Sequence, residues 1–322
     1  MRTLVTGATG FVGGLLVERL RERGDTVVAL VRRPERAADL ARLGVELVAG
    51  DLADRTALAT AASGCDIVYH VAGAIAGRNE AEFMAVNRDG TQAVVEAATA
   101  AKVARFVLVS SLAAAGPTAP GRPLRGDEPP RPVSQYGRSK LAAEAVVRGS
   151  TLNWAIIRPP AVYGPRDREM FRIFRAVSTL GMAPVFGDGR QELSLIFGPD
   201  LVDALISAGA SGVAGQTWYS AHPEVVTTRG LIAAVAAAAN CRARVVPIPF
   251  VVGRGLLALT DLAARIAGRA TVLSRDKANE LFQPAWLADP AAFTAATGWT
   301  ASHDFDRGAR ATLAWYRQSG WL

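Results

Sequence analysis

The chain has 322 residues, half of them hydrophobic, and a net charge of +7 from 36 basic and 29 acidic side chains, which suits about two domains with packed cores. The basic residues are scattered, the longest run being Arg32-Arg33, so no basic stripe points to a nucleic-acid partner. Cys65, Cys241, His70, His222 and His303 stand isolated, which excludes a metal-ligand spacing or a disulfide framework and points to a reducing, cytoplasmic setting.

Met1 leads straight into a strand-like run with no apolar leader, and the longest apolar stretch, 245–259, is cut by Pro247, Pro249 and Arg254. No signal peptide and no stable membrane insertion are expected. In the first half, strand-like runs at 3–5, 26–31, 45–48, 66–70, 105–109 and 154–157 alternate with helical periods at 11–23, 57–62, 83–101 and 135–148. This alternation predicts an α/β fold, a doubly wound parallel sheet with helices on both faces. The Pro- and Gly-dense stretch 116–132 reads as a mobile loop. Beyond Gly164, helical periods at 169–179, 199–208 and 229–239 separated by extended pieces predict a smaller, mostly helical C-terminal domain. The expected division is 1–164 for cofactor and 165–322 mainly for substrate, with about 191–219 returning to the first domain. A helix over 250–266 places Arg254, Asp261 and Arg265 on one side and Val251, Leu257, Leu262 and Ile266 over the rest. It reads as a packed helix, as the wall of an apolar pocket, or as a weak membrane-surface contact.

The stretch Thr6-Gly7-Ala8-Thr9-Gly10-Phe11-Val12-Gly13 lies between the first strand and the first helix. There Gly7 permits a tight turn, Gly10 admits a pyrophosphate close to the backbone, and Gly13 allows close helix–sheet packing. The phosphates would meet the N–H groups of the helix start, at Thr9, Phe11, Val12 and Gly13. The second strand ends in Arg32 where a carboxylate would select NAD. Arg32 can pair with a 2′-phosphate, so NADP(H) is expected in preference to NAD(H). Asp51 and Leu52 are expected at the adenine, and Val71, Ala72 and Gly73 along the cofactor. Tyr136 and Lys140 lie four residues apart on one predicted helix. Lys140 is one of only three lysines, with Lys102 and Lys277, in a chain that otherwise uses arginine.

With these motifs in order, the whole chain resembles the extended short-chain dehydrogenase/reductases. The matches are Thr-Gly-x-x-Gly-x-x-Gly at 6–13, Ser110-Ser111, Tyr-x-x-x-Lys at 136–140, and Arg-Pro-x-x-x-Tyr-Gly-Pro at 158–165. The resemblance implies a Rossmann domain in which Ser111 hydrogen-bonds the reacting oxygen and Tyr136 is the acid or base. Lys140 would lower the Tyr136 pKa and hold the nicotinamide ribose, with Pro159 also beside the cofactor. Asn87 matches a family asparagine, a buried polar helix residue being the competing reading. The family also implies a homodimer through helices 83–101 and 135–148.

Branches acting on nucleotide sugars carry Asn where this chain has Ala161 and Arg where it has Leu193, although Arg190 could substitute from nearby. The stretch 158–164 is closer to the branch of dihydroflavonol reductases and 3β-hydroxysteroid dehydrogenases. That implies an apolar ketone or secondary alcohol as substrate, with Leu193, Phe197 and 250–266 compatible with its pocket and equally with core packing. The runner-up is an epimerase or dehydratase, of sugar or sugar-nucleotide type, holding its nicotinamide tightly. A non-catalytic NADPH-sensing protein is the third reading.

Overall fold

A computed structural model describes residues 1–210 and 212–322. In chain order the strands are β1 (Arg2–Thr6), β2 (Thr26–Val31), β3 (Glu46–Ala49), β4 (Ile67–His70), β5 (Arg105–Val109), β6 (Trp154–Arg158), β7 (Ala161–Tyr163), β8 (Met182–Phe186), β9 (Glu192–Phe197), β10 (Gln216–Tyr219), β11 (Val225–Thr227), β12 (Arg244–Ile248) and β13 (Ala285–Trp286). Seven of them form one sheet in the order β10-β6-β5-β4-β1-β2-β3, and every neighbouring pair is parallel.

Helices cover both faces, so the strands are continuously apolar instead of alternating. Val5, Val27, Ala29, Val107 and Ile157 point to one core with helix Phe11–Glu22 and helix Gly198–Ala210. Their chain neighbours Leu4, Val28, Phe106, Leu108 and Ile156 point to the other, with helices Arg55–Ala62, Gly90–Ala100 and Gln135–Arg148. Each such fully buried Val, Leu, Ile or Phe side chain contributes about 1.5–3 kcal/mol.

The predicted long helix over 83–101 is built in three parts: Glu80–Met84, a π-helical turn Ala85–Asp89, and Gly90–Ala100. The C-terminal half adds two small sheets to its helices: β9 with β7, β11 and β13, and β8 with β12. A third core there unites Tyr163, Phe174, Phe197, Leu231, Phe305 and Tyr316. The 116–132 stretch, read as mobile, is instead fastened to the C-terminal segment. Thr118 N–H donates to the Ala285 carbonyl (2.9 Å), Leu124 N–H to that of Leu287 (3.1 Å) and Gly121 N–H to Glu192 (2.7 Å). Proline and glycine there shape a path over the surface whose hydrogen bonds go to distant residues, a partnership invisible to local composition.

Candidate active site

The chain leaves β1 for β2 on one side while β4 pairs on the other, which opens a crevice at the carboxyl ends of β1 and β4. Gly7 has φ +73°, and a Cβ on it would lie 2.7 Å from Ala72 N; one on Gly13 would lie 2.1 Å from the Gly7 oxygen. Backbones therefore touch where side chains would hold them apart. Gly10 begins helix Phe11–Glu22 with no side-chain cap and no acidic residue in the first turn. The N–H groups of Phe11, Val12 and Gly13 have no intrahelical acceptor, and the helix dipole adds positive potential there. Thr9 is exposed at the same turn. A bare backbone cradle of this kind fits a pyrophosphate.

Arg32 follows β2, exposed, and its guanidinium has no partner among the described residues. Paired β2 and β3 (Val31↔Ala49) carry Arg32 and Asp51 out of neighbouring strand ends. Asp51 Oδ1 accepts from Ala53 N–H at 2.8 Å, and Leu52 lies against Gly90. Val71, Ala72 and Gly73 continue β4 into the crevice, where Ala72 N–H donates to Thr6 Oγ1 (3.3 Å).

Beneath them His70 Nδ1 meets Thr6 Oγ1 at 2.7 Å and Nε2 meets Thr91 Oγ1 at 2.9 Å. Thr91 gives its own proton to the Asn87 carbonyl, so Nε2 is the donor and Nδ1 the acceptor. Burial, with Lys140's charge adding to it, lowers the His70 pKa to about 3. The imidazole is a neutral strut across the sheet.

Ser110 and Ser111 follow β5, and Ser111 Oγ caps the short helix Leu112–Ala115 by accepting from Ala113 N–H (3.1 Å). Leu112 N–H donates to the Pro159 carbonyl (2.8 Å), which ties the end of β6 to this turn. Gly137 lets the Gln135–Arg148 helix start flush against it, since a Cβ there would lie 2.4 Å from the Ala113 oxygen. That contact brings the Tyr136 phenol to the Ser111 hydroxyl.

Lys140 lies one turn deeper and is buried, its Nζ donating to the Val109 carbonyl at 2.6 Å. Burial lowers its pKa to about 8, against an opposing pull from Glu144. The expectation that Lys140 lowers the Tyr136 pKa is corrected by these contacts. Tyr136 is pushed up to about 12, mainly by burial, with Ser111 pulling down and Glu280's charge pushing further up. Glu144 is itself closed into an ion cluster, accepting from Arg158 Nε (2.8 Å) and Nη2 (2.7 Å) and from Arg148 (2.8 Å). Burial works against the Arg158 charge, but the Glu144 pair outweighs it and leaves the guanidinium pKa raised.

Asn87 sits in the π-helical turn, buried. Its Oδ1 accepts from Ala74 N–H (2.7 Å), and its Nδ2 donates to the Ala74 carbonyl (3.0 Å) and to Ser139 Oγ (2.8 Å). The side chain is fully satisfied by protein, fixing the segment after β4 to the Tyr136 helix. A Cβ on Gly73 would lie 3.1 Å from Asn87 Oδ1 and 3.4 Å from Lys140 Nζ, so the crevice, Asn87 and Lys140 adjoin.

Sequence reasoning missed the cover over this site. Ser134 caps the Tyr136 helix by accepting from Gly137 N–H (3.0 Å) and donates its own proton to Glu280. Gln135 N–H donates to Asp276 (2.8 Å). Lys277 pairs with Glu280 and sits 6.0 Å above the Tyr136 ring. The rarity of lysine was the one signal that could have singled out Lys277. Between this segment and helix Phe250–Ile266 lies a cavity of about 560 Å³, lined by Gln135, Arg254, Gly255, Ala258, Asp276 and Asn279 among others.

Leu193 and Phe197, compatible with a pocket or with core packing, both take part in core packing. Phe197 is buried against Tyr163 (5.6 Å between centroids) and His303 (4.8 Å), and Leu193 packs on the same core. Large apolar side chains on a short strand serve a small-sheet core as readily as a pocket. Arg190 is exposed and paired with Asp188.

The sequence profile of the NAD dependent epimerase/dehydratase family matches residues 3–219. The chain is 33% identical over 322 residues to a ceramide reductase of Caulobacter vibrioides, covering 99% of this chain and 95% of that protein. It is 31% identical over 305 residues to a 4-hydroxy-2-methyl-3-oxo-4-farnesyl-3,4-dihydroquinoline-1-oxide ketoreductase of Stigmatella aurantiaca, covering 87% and 90%. Among solved structures, MoeE5 in complex with UDP-glucose and NAD superposes with a TM-score of 0.80 at 26% identity over 99% of each chain.

Proposed function

Because this chain belongs to the NAD-dependent epimerase/dehydratase family of extended short-chain dehydrogenase/reductases, we propose that it transfers a hydride between NADP(H) and a largely apolar ketone or secondary alcohol. The observation that carries the reading is the meeting of Ser111 and Tyr136 beside the buried Lys140.

The bare turn at Gly7, Gly10 and Gly13 would hold the pyrophosphate, Val71 to Gly73 and Pro159 would flank the cofactor, and Arg32 would take the 2′-phosphate with Asp51 and Leu52 at the adenine. The nicotinamide, when bound, supplies or accepts the hydride. Tyr136, at about 12, stays protonated at neutral pH, so it is suited to give its proton to the oxygen of a ketone being reduced. Ser111 donates a hydrogen bond to that oxygen and orients it. Lys140, at about 8, is mostly charged at neutral pH, so its ammonium would donate to the nicotinamide ribose and hold the cofactor beside Tyr136, while solvent restores the proton that Tyr136 gives up. Asn87 holds the turn and the helix in register and acts as a positioning residue.

An apolar substrate is supported by Leu193 in place of a phosphate-binding arginine, and by two relatives named as reductases of molecules with long apolar chains. A second reading, an epimerase or dehydratase acting on a nucleotide sugar, is favoured by the likeness to MoeE5, solved with UDP-glucose and NAD. A homodimer through the surfaces of helices Gly90–Ala100 and Gln135–Arg148 is part of the proposal.

A panel of ketones of increasing chain length, scored by NADPH oxidation, tests the reading. NADPH should be consumed on long-chain ketones, and Arg32→Ala should weaken NADPH binding about tenfold, one charge-assisted contact, while leaving NADH binding unchanged. Retained cofactor, with a nucleotide sugar converted and no NADPH consumed, would establish the second reading instead.

A further inference from the structure

Helix Phe250–Ile266 has only Gly253 and Leu257 buried. Val251, Val252, Leu256, Leu259, Leu262 and Ile266 are all exposed, Val251 and Ile266 by 80% and Leu259 by 64%. At about 100° per residue these six fall on one continuous arc of roughly 140°, and Arg254, Asp261 and Arg265 fall outside it. An apolar face of this width on a monomer's surface calls for a covering surface. Exposed Met182 and Val246 on the β8–β12 ribbon extend the same character up to Pro249, where the helix begins.

The charges around this face are mostly positive. Residues 242–275 contain six arginines, at 242, 244, 254, 265, 269 and 275, and one acidic residue, Asp261, with Asp276 following directly after the stretch. All six arginines are exposed, and among the described residues only Arg265 pairs with a carboxylate, Asp261 (2.9 Å). A second copy docked across a two-fold axis would set arginines against arginines. An anionic lipid surface satisfies both the apolar arc and its basic rim. Among the described residues no helix is long and apolar enough to cross a membrane, so the contact is with the interface.

We propose that the Val251–Ile266 face rests on an anionic phospholipid bilayer, with the helix axis in the plane of the interface and the arginines among the headgroups. The buried side of this helix and the arginine-bearing flank that adjoins the arc both reach toward the active site. Phe250 packs on Phe282 (4.6 Å) and Phe282 on Phe186 (5.3 Å), while Arg254, Gly255 and Ala258 line the cavity that also touches Gln135, beside Tyr136. Docking therefore sets the cavity next to the lipid.

The test is flotation of the full chain with vesicles of phosphatidylcholine plus phosphatidylglycerol, beside phosphatidylcholine alone. The protein should float with the mixed vesicles and far less with the neutral ones. Leu259→Glu/Ile266→Glu should lose at least tenfold in vesicle affinity while keeping its NADPH binding and its melting temperature. Arg265→Gln/Arg269→Gln, which leaves the apolar arc untouched, should weaken binding several-fold and flatten its salt dependence. Absence of flotation, equal flotation of the glutamate variant, or a dimer that this variant turns into monomers without any lipid binding would overturn the proposal. Flotation reads lipid contact whether or not a ketone is turned over, so the proposal stands or falls apart from the reductase reading.

Discussion

The turn at Gly7–Gly13 and the cover over Tyr136 lie at the same site and are made in opposite ways. The turn works by backbone contact: Gly7 against Ala72 and Gly13 against Gly7, where any side chain would intrude. The cover works by side chains drawn from far apart, Ser134 with Glu280 and Gln135 with Asp276. A phosphate cradle is demanded by a cofactor common to many enzymes and leaves little room for variation. The cover borders the cavity beside Gln135, where the proposed substrate would enter. The common half of the chemistry is thus carried by a contiguous stretch, and the individual half by long-range pairs.

Substitutions on the two sides should separate them. The largest effect is expected from Tyr136→Phe, which removes the proton donor where the two regions meet. Turnover should fall about 10³-fold with NADPH affinity, read by fluorescence titration, nearly unchanged. On the cradle side, Gly13→Ala forces a Cβ to within 2.1 Å of a backbone oxygen. Overpacking of this sort costs about 1–3 kcal/mol, so NADPH binding by calorimetry should weaken about ten- to a hundredfold.

The pH dependence comes next in size. Lys140 acts in its charged form and its pKa is lowered to about 8, so the rate of ketone reduction should be full below that pH and decline as pH rises through it. A flat profile between pH 7 and 9 would mean that the lysine charge takes no part. The smallest effect belongs to the cover. Ser134→Ala removes a helix cap and should cost about 1 kcal/mol in urea unfolding. Because Ser134 also donates to Glu280, Ser134→Ala and Glu280→Gln should combine non-additively, by about 0.5 kcal/mol or more.

The parallel sheet and its first six strands were legible because their apolar runs are short, regular and separated by amphipathic helices. The cradle was legible for the same local reason, eight residues between a strand and a helix. Asn87 was recognised as a position, its role left open between the family's asparagine and a buried polar helix residue, since the π-helical turn that buries it has no signature in residue periodicity. Lys277 and Glu280 carried no local pattern, and their meaning arises only when the chain returns past Tyr136 more than a hundred residues later. The Tyr136 pKa was misjudged through the same limit. Spacing put Lys140 one turn away, whereas the fold turns its ammonium to the Val109 carbonyl and encloses the phenol with Glu280 nearby. The exposed arc of the 250–266 helix was visible as a pattern, but only its burial distinguished a bare face from a packed one.

The most direct test of the account is transfer of deuterium from NADPH deuterated at the transferring position of the nicotinamide to a long-chain ketone, followed by mass spectrometry of the product. The expected product is an alcohol with one deuterium on its carbinol carbon for each NADPH consumed, formed about 10³-fold more slowly by Tyr136→Phe with NADPH bound. An alcohol without deuterium, or Tyr136→Phe turning over at the rate of the unaltered protein, would contradict the account.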